Sequence, residues 1–470
     1  MMDSMKITEV SIEGNNISCT VVTEGEVSRA FKKSTFRTMF NTNMSMEDVP
    51  ESIAVIPVVG TLLPIAWLFD AELDVEECDK DFVNSVPAIR QGYVNMYPQI
   101  SFGGAFNVAK AVRNEAEDSG KTLTLFSGGL DSHYTALSHA EEKPDLLILR
   151  GPDISNHKED DPGWEEILSQ VDRLAETIGS ERLSAESDLR GYVNYNFLNP
   201  WTTDVAGLGA SYWVCFQHGL GLLTHAAPFA YLRGIKKIYI ASSFTEEDEG
   251  KVACASDPSI DENVHFCGAS ICHDGYSAGR NEKLRSVCAW AKEHDAKLYL
   301  RVCHKRPDLG RGVKDGRTCC RCEKCFRTIL GLYANKEDPS LYGFDIGDPA
   351  EYFETMHKIV PKWLVRHFNT RYLPIIRLMQ ENYSEDEIPD SVRWLYDFRM
   401  DEHSEYFKWV DQRIEKQHDR NMAQRKEMES AEKRADKMEK EAEKYRKKYE
   451  AIKKQMDGSF FCRIGRKLHI

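Results

Sequence analysis

Apolar and polar positions alternate through residues 5–35 (Ile7, Val10, Ile12, then Ile17, Cys19, Val21), with Gly14-Asn15-Asn16 between the two runs. A period near two, broken by turn-forming residues, predicts a β-hairpin. From Ile53 to Phe69 the pattern becomes a 17-residue stretch without charge, interrupted by Pro57, Gly60 and Pro64. That is the shortest length able to span a bilayer. The prolines, the acidic flanks Glu51 and Asp70 and the lack of a basic neighbour favour a buried pair of elements instead. A helix is expected around Asp81 to Tyr93, which makes residues 1–101 a small N-terminal α+β module.

Beyond Phe102 short apolar runs alternate with helical periodicity. Strands are expected at Leu123 to Phe126, Asp145 to Arg150, Arg182 to Ser187, Lys237 to Ser243 and Leu298 to Cys303. Helices are expected from Asp131, over Trp164 to Ile178, over the apolar Tyr212 to Tyr231, and from Arg280. Asn194 to Pro200 reads as a loop and Phe244 to His273 as a long, polar, irregular segment. Alternation of this kind predicts an α/β domain over 102–335, a parallel sheet with helices on both faces. Residues 336–402, with Trp363, Tyr372, Trp394 and Tyr396, are expected to form a helical cap. Over 403–457 one heptad register holds: Phe407, Ile414, Asn421, Met428, Ala435, Ala442, Tyr449 and Met456 share one position, and Val410, Gln417, Gln424, Ala431, Met438, Tyr445 and Ile452 the other. This is a C-terminal coiled-coil seam, and hence a homo-oligomer contact, with a single solvated helix as the alternative. Residues 458–470 form a basic, apolar end (Phe460, Phe461, Arg463, Arg466, Lys467) suited to peripheral membrane contact.

Composition narrows the class. The net charge is −14, yet 404–470 carry a surplus of six positive charges, so the body before them stands near −20. An acidic body argues against nucleic acid as a partner. The 13 cysteines are scattered apart from one cluster, and no basic-then-apolar leader opens the sequence, which points to a reducing cytoplasm.

The candidate chemistry centres on Ser127-Gly128-Gly129-Leu130-Asp131-Ser132, between the strand ending at Phe126 and the following helix. Glycines let backbone N–H groups approach a ligand, and a helix start adds partial positive charge, so the turn suits a phosphate or pyrophosphate. No Gly-Lys-Ser/Thr follows at Walker-A spacing. The six residues resemble the PP-loop, Ser-Gly-Gly-x-Asp-Ser, of the N-type ATP pyrophosphatases, and the implied fold is that of the adenine nucleotide alpha hydrolases. The resemblance implies that the loop holds the β- and γ-phosphates of ATP while a substrate oxygen attacks the α-phosphate, with Asp131 near Mg2+. Gly151, ending the next strand, lies where adenine and ribose would rest. Arg280 and Lys283, at a helix start, are candidates for holding the departing pyrophosphate. Asp257 and Asp261, in the long segment after the strand at 237–243, are candidate substrate contacts, with a solvated acidic loop as the alternative. A histidine in an apolar helix is more often a core residue than a catalyst, so His218 is left out of the site.

Cys319, Cys322 and Cys325 stand three apart, a spacing at which thiolates converge on a tetrahedral metal. Cys303 is the natural fourth ligand and Cys320 its competitor. The triple with an upstream cysteine is similar to the structural zinc site of 7-cyano-7-deazaguanine synthases, which are PP-loop enzymes; an iron–sulfur cluster and a redox thiol set are the alternatives to Zn2+. The two motifs together imply an AMP-forming ligase. It would adenylate a carboxylate or amide oxygen of a small-molecule substrate, which ammonia, free or from a donor protein, or another nucleophile then attacks. A sulfur-transfer ligase and a nucleotide-binding scaffold are the alternatives.

Overall fold

The computed structural model describes residues 3–152, 154, 161–204, 208, 210–248, 252–303, 317–358, 368–397 and, in the tail, 434, 437–438, 441 and 444–449. In chain order the elements are β1 (Ser4–Glu13), β2 (Asn16–Glu24), β3 (Thr35–Asn41), α1 (Glu51–Ala54), α2 (Ile56–Leu68), β4 (Glu72–Asp79), α3 (Lys80–Met96), β5 (Ala105–Val112), β6 (Thr122–Leu125), α4 (Leu130–Ser138), β7 (Asp145–Arg150), α5 (Asp161–Ile178) and β8 (Arg182–Ser187). There follow α6 (Leu189–Tyr192), α7 (Tyr195–Asp204), α8 (His218–Leu223), α9 (Ala227–Arg233), β9 (Lys237–Ala241), α10 (Pro258–Asp261), β10 (His265–Phe266), β11 (Ala269–Asp274), α11 (Arg280–Glu293) and α12 (Glu323–Ala334).

Among the described residues eleven strands join one sheet, in the order β10-β11-β9-β6-β7-β8-β3-β2-β1-β4-β5. The run β11-β9-β6-β7-β8 is parallel, and so is β1-β4-β5, so the fold is α/β with a mostly parallel sheet flanked by helices. β6 and β7 are buried along their whole length, as expected of strands covered on both faces. The N-terminal hairpin is present, but the chain does not break at residue 101. β3 pairs antiparallel with β8, from Thr38↔Ser187 to Asn41↔Ser184, and so extends the sheet, and residues 1–360 with 367–396 form one compact unit. The alternation in β1–β3 fixes which face is buried; it carries no information on which strand lies at the hairpin's open edge.

The uncharged stretch becomes α1 and α2, buried among core residues such as Ile53, Val58, Leu62 and Trp67. Gly60 lies where a Cβ would strike Thr224, so the missing side chain lets α2 press against the apolar helices beyond it. No described helix is long and apolar enough to cross a membrane. Three expectations differ from the structure. Residues 195–204 are helical, because Tyr195, Leu198 and Thr202 make a buried stripe that the Asn and Pro content obscures. The segment after β9 contains α10, β10 and β11; the inward positions of β11 are Ala269, Ile271 and His273, too mixed in polarity to read as a strand. Leu298 to Cys303 has no regular structure and lies outside the sheet, since Leu298 and Leu300 bond to Leu341 and Tyr342 and Arg301 to the turn at Gly128.

The cap contains the helices Pro349–His357, Leu373–Asn382 and Asp390–Tyr396 among its described residues; Trp363 lies outside them. Most of the heptad seam and all of 458–470 also lie outside them. Residues 444–449 are helical, and the few described residues of the tail do not support a coiled coil.

His225 is fully buried beside Phe36, and burial lowers its imidazole to about 4. An imidazole in the unfolded chain titrates near 6.5. Between those values the unfolded state binds more protons, so stability falls as pH drops from about 6.5 toward 4, by on the order of 3 kcal/mol for this group. In His225→Gln the slope of stability against pH over that window should be shallower by about one proton, read from denaturant unfolding at a series of pH values.

Candidate functional site

β6 ends at the middle of the parallel run, and the chain turns there through Ser127-Gly128-Gly129 into α4. Gly128 has φ +77°, a backbone region that favours glycine, and Gly129 is the N-cap of α4. Side chains brace the turn. Ser132 Oγ donates to Gly129 O (3.1 Å) and lies 3.2 Å from Ser127 Oγ, which accepts from Gly129 N–H (3.3 Å). His133 Nδ1 meets the same Gly129 carbonyl at 2.9 Å, and burial holds this imidazole near 4, so at neutral pH it is an uncharged strut.

Asp131, in the first turn of α4, faces two cations from α11. Lys283 Nζ is 3.6 Å from Oδ1 and Arg280 is 4.0 Å from Oδ2. Lys283 is buried, its Nζ donates to Ser242 O (2.6 Å), and desolvation pulls its ammonium below the ordinary range while Asp131 opposes that shift. Arg280 also donates to Thr328 Oγ1 (3.0 Å) on α12. One residue earlier, Arg327 is buried, and desolvation together with the Arg280 charge lowers its guanidinium to about 10. The structure thus brings the loop together with both basic residues named from sequence, and adds Arg327 and Arg301. Arg301 N–H donates to Gly128 O (2.7 Å) and its guanidinium to Ser127 O. Sequence reading missed it because its segment lies some 170 residues downstream of the loop.

Beside the loop is a cavity of about 160 Å³. Leu125, Leu147, Leu149, Leu222 and Ile240 supply an apolar floor, and Ser127, Asp131, Ser132, His218, Ser256 and Arg301 a polar rim. It opens at the carboxyl ends of β6, β7 and β9, where open α/β sheets bind ligands. His218, set aside on sequence grounds, is on this rim. Arg301 also borders a second, more polar cavity of about 360 Å³ with Glu166, Tyr299, Arg317 and Asp345.

The other site candidates have different surroundings. Gly151 is buried at φ +107°, where a Cβ would collide with the Ser187 carbonyl oxygen, and it does not line the cavity; packing of the β7 turn against the end of β8 accounts for the glycine. Gly151→Ala should therefore destabilise the fold by on the order of 3 kcal/mol, as read from the unfolding midpoint. Asp257 caps α10 by accepting from Ser259 N–H. Asp261 is fully buried, accepting from Ser256 Oγ (2.8 Å) while His273 Nδ1 lies 2.9 Å away; desolvation raises its carboxyl and the His273 contact opposes that.

The sulfurs of Cys303, Cys319, Cys322 and Cys325 all lie within 4.8 Å of one another. The 303–322 and 319–325 separations are 3.9 Å and the 322–325 separation 3.4 Å. Ligands about 2.3 Å from a tetrahedral zinc stand about 3.8 Å apart, so the four thiols are placed to hold a metal ion such as zinc. Cys320 is turned away at φ +51°, its sulfur near Thr318 and its thiol raised chiefly by burial; Cys303 is the fourth member. Cys322 is also the N-cap of α12, and Tyr352 of the cap donates to Cys320 O (2.6 Å).

No protein-family model matches the chain, and no curated protein matches it.

Proposed function

We propose that the chain is a PP-loop ATP pyrophosphatase: an AMP-forming ligase that adenylates a carboxylate or amide oxygen of a small molecule. The observation that carries this reading is the loop 127–132 at the start of α4, with Asp131 facing Lys283 and Arg280. Backbone N–H groups of the turn and the Ser127 and Ser132 hydroxyls would take the β- and γ-phosphates. The cavity's apolar floor suits adenine, which puts the α-phosphate at the rim. Mg2+, held by Asp131, would neutralise the phosphates and orient them for in-line attack.

The chain's own residues then do three things. Lys283 and Arg280 stabilise charge growing on the pyrophosphate as the bond to the α-phosphorus breaks, and because both are already held in place, little reorganisation is needed. Arg301, common to both cavities, stands between the nucleotide and the larger one, which offers room for a polar acceptor. The four thiols, with Zn2+ as the fitting ion, fix the ends of the two segments that carry Arg301 and Arg327.

The test is exchange. With ATP, Mg2+ and a small-metabolite extract, label from pyrophosphate should enter ATP, because adenylation is reversible before the nucleophile arrives. An extract that supports AMP release by the same protein without any exchange would count against an adenylated intermediate.

A further inference from the structure

The cavity has a wall that adenylation leaves unused. Its polar residues are His218 and Ser256, brought to the same space as Ser127 and Asp131. His218 follows a single turn of π-helix, Trp213–Gln217, that leads into α8. Such turns recur at functional sites, since the extra residue re-aims the side chains of the next turn. Gln217 and Gly219 are buried, whereas His218 between them is half-buried and reaches the rim. Its Nδ1 lies 3.7 Å from Cys254 Sγ, and Trp213 meets the ring edge-on at 5.3 Å.

Behind this wall sits Asp261, on whose Oδ2 Ser256 and His273 converge. Its charge is felt at His218. Gly219 admits the carboxylate: a Cβ there would overlap Asp261 Oδ1. A wide helical turn thus leads into the helix that carries His218, and the glycine after it makes room for the buried acid.

We propose, resting on the ligase reading, that His218 is the base of the second half-reaction, with an amine, ammonia or a primary amine, as the nucleophile. The nitrogen attacks the adenylated acyl carbon and a C–N bond forms. The bond from that carbon to the phosphoryl oxygen breaks, and AMP leaves with its electron pair. The proton of the attacking nitrogen passes to His218 Nε2, the nitrogen opposite the one turned to Cys254.

Chemistry singles out this residue. The ionisable side chains among the described residues lining the cavity are Asp131, His218 and Arg301. Asp131 is the Mg2+ ligand of the ligase reading and faces two cations, Lys283 and Arg280, and a guanidinium keeps its proton. An imidazole is the side chain whose ordinary titration range crosses neutral pH.

The experiment separates the two halves of the reaction. The probe is an extract fraction that supports pyrophosphate exchange, supplied with ATP, Mg2+ and either ammonium chloride or hydroxylamine. Hydroxylamine, unprotonated at neutral pH and a stronger nucleophile, attacks without a base. His218→Gln is expected to keep exchange and hydroxylamine trapping within a few-fold and to lose roughly 10²–10⁴ of ammonia transfer. Added imidazole should restore part of that transfer to His218→Gly, a rescue that a structural role would not give. Wild-type ammonia transfer in His218→Gln overturns the proposal, as does loss of exchange together with transfer in a variant that melts like the wild type. No exchange in the wild type itself overturns the ligase reading, a failure distinct from that of His218.

Discussion

Complete removal of the metal from the four-cysteine site is expected to unfold the region around Cys303 to Cys325 and to weaken nucleotide binding with it. The coupling follows from connectivity. Cys303 stands two residues after Arg301, which bonds the loop at Ser127 and Gly128, and Cys322 caps the helix on which Thr328 accepts from Arg280. Four thiols within 4.8 Å of one another are placed to hold a metal ion, which as thiolates they would need to offset their charge. Without it, the Cys319 to Cys325 turn keeps the Tyr352 bond to Cys320 O and the contacts of Glu323 with Tyr372, Arg327 and Arg371, none of which ties it to Cys303. Structural zinc sites supply about 10 kcal/mol or more to small peptides that fold around them. In a larger domain part of that appears as a lower unfolding midpoint and part as local opening. Chelator-treated protein and Cys325→Ser should both lose metal, melt earlier and bind ATP more weakly. An unchanged melting curve after complete metal removal would refute the structural role.

Lys283→Met should separate charge from packing. Lys283 is buried, spends its ammonium on Ser242 O and Asp131, and is held below its ordinary range by desolvation. Met fills a similar volume without a charge to desolvate, but it removes the donor to Ser242 O and one of the two cations facing Asp131, and taking one partner from a buried pair costs stability. The unfolding midpoint should fall while the fold is kept, Arg280 remaining opposite Asp131. Pyrophosphate exchange should fall by roughly 10²–10³, the scale seen when one preorganised electrostatic contact to a transition state is removed. Exchange within a few-fold of wild type would remove Lys283 from the site.

Much of this was legible in the sequence because the governing physics is local. The loop announces itself by Gly-Gly between a buried strand and a helix start, and the metal site by a three-residue spacing of thiols. The α/β class follows from alternating periods. What escaped depends on long-range pairing. The join of β3 to β8 requires two polar-edged strands to meet across 150 residues, and neither pattern names its partner. Arg301 belongs to the site only because a segment outside the sheet crosses the turn at Gly128. His218 looked like a core residue since the helix around it is mostly apolar; the π-helical turn that brings it to the rim has no signature in residue type. Gly151, a glycine at the expected strand end, meets the Ser187 carbonyl, a contact that its residue type does not announce.

The central claim is that the loop at 127–132 directs cleavage between the α- and β-phosphates of ATP. α-Labelled ATP, incubated with Mg2+ and a small-metabolite extract, tests it directly, with Asp131→Ala as the control. The account predicts labelled AMP from the wild type and none from Asp131→Ala. Labelled ADP from the wild type would contradict it.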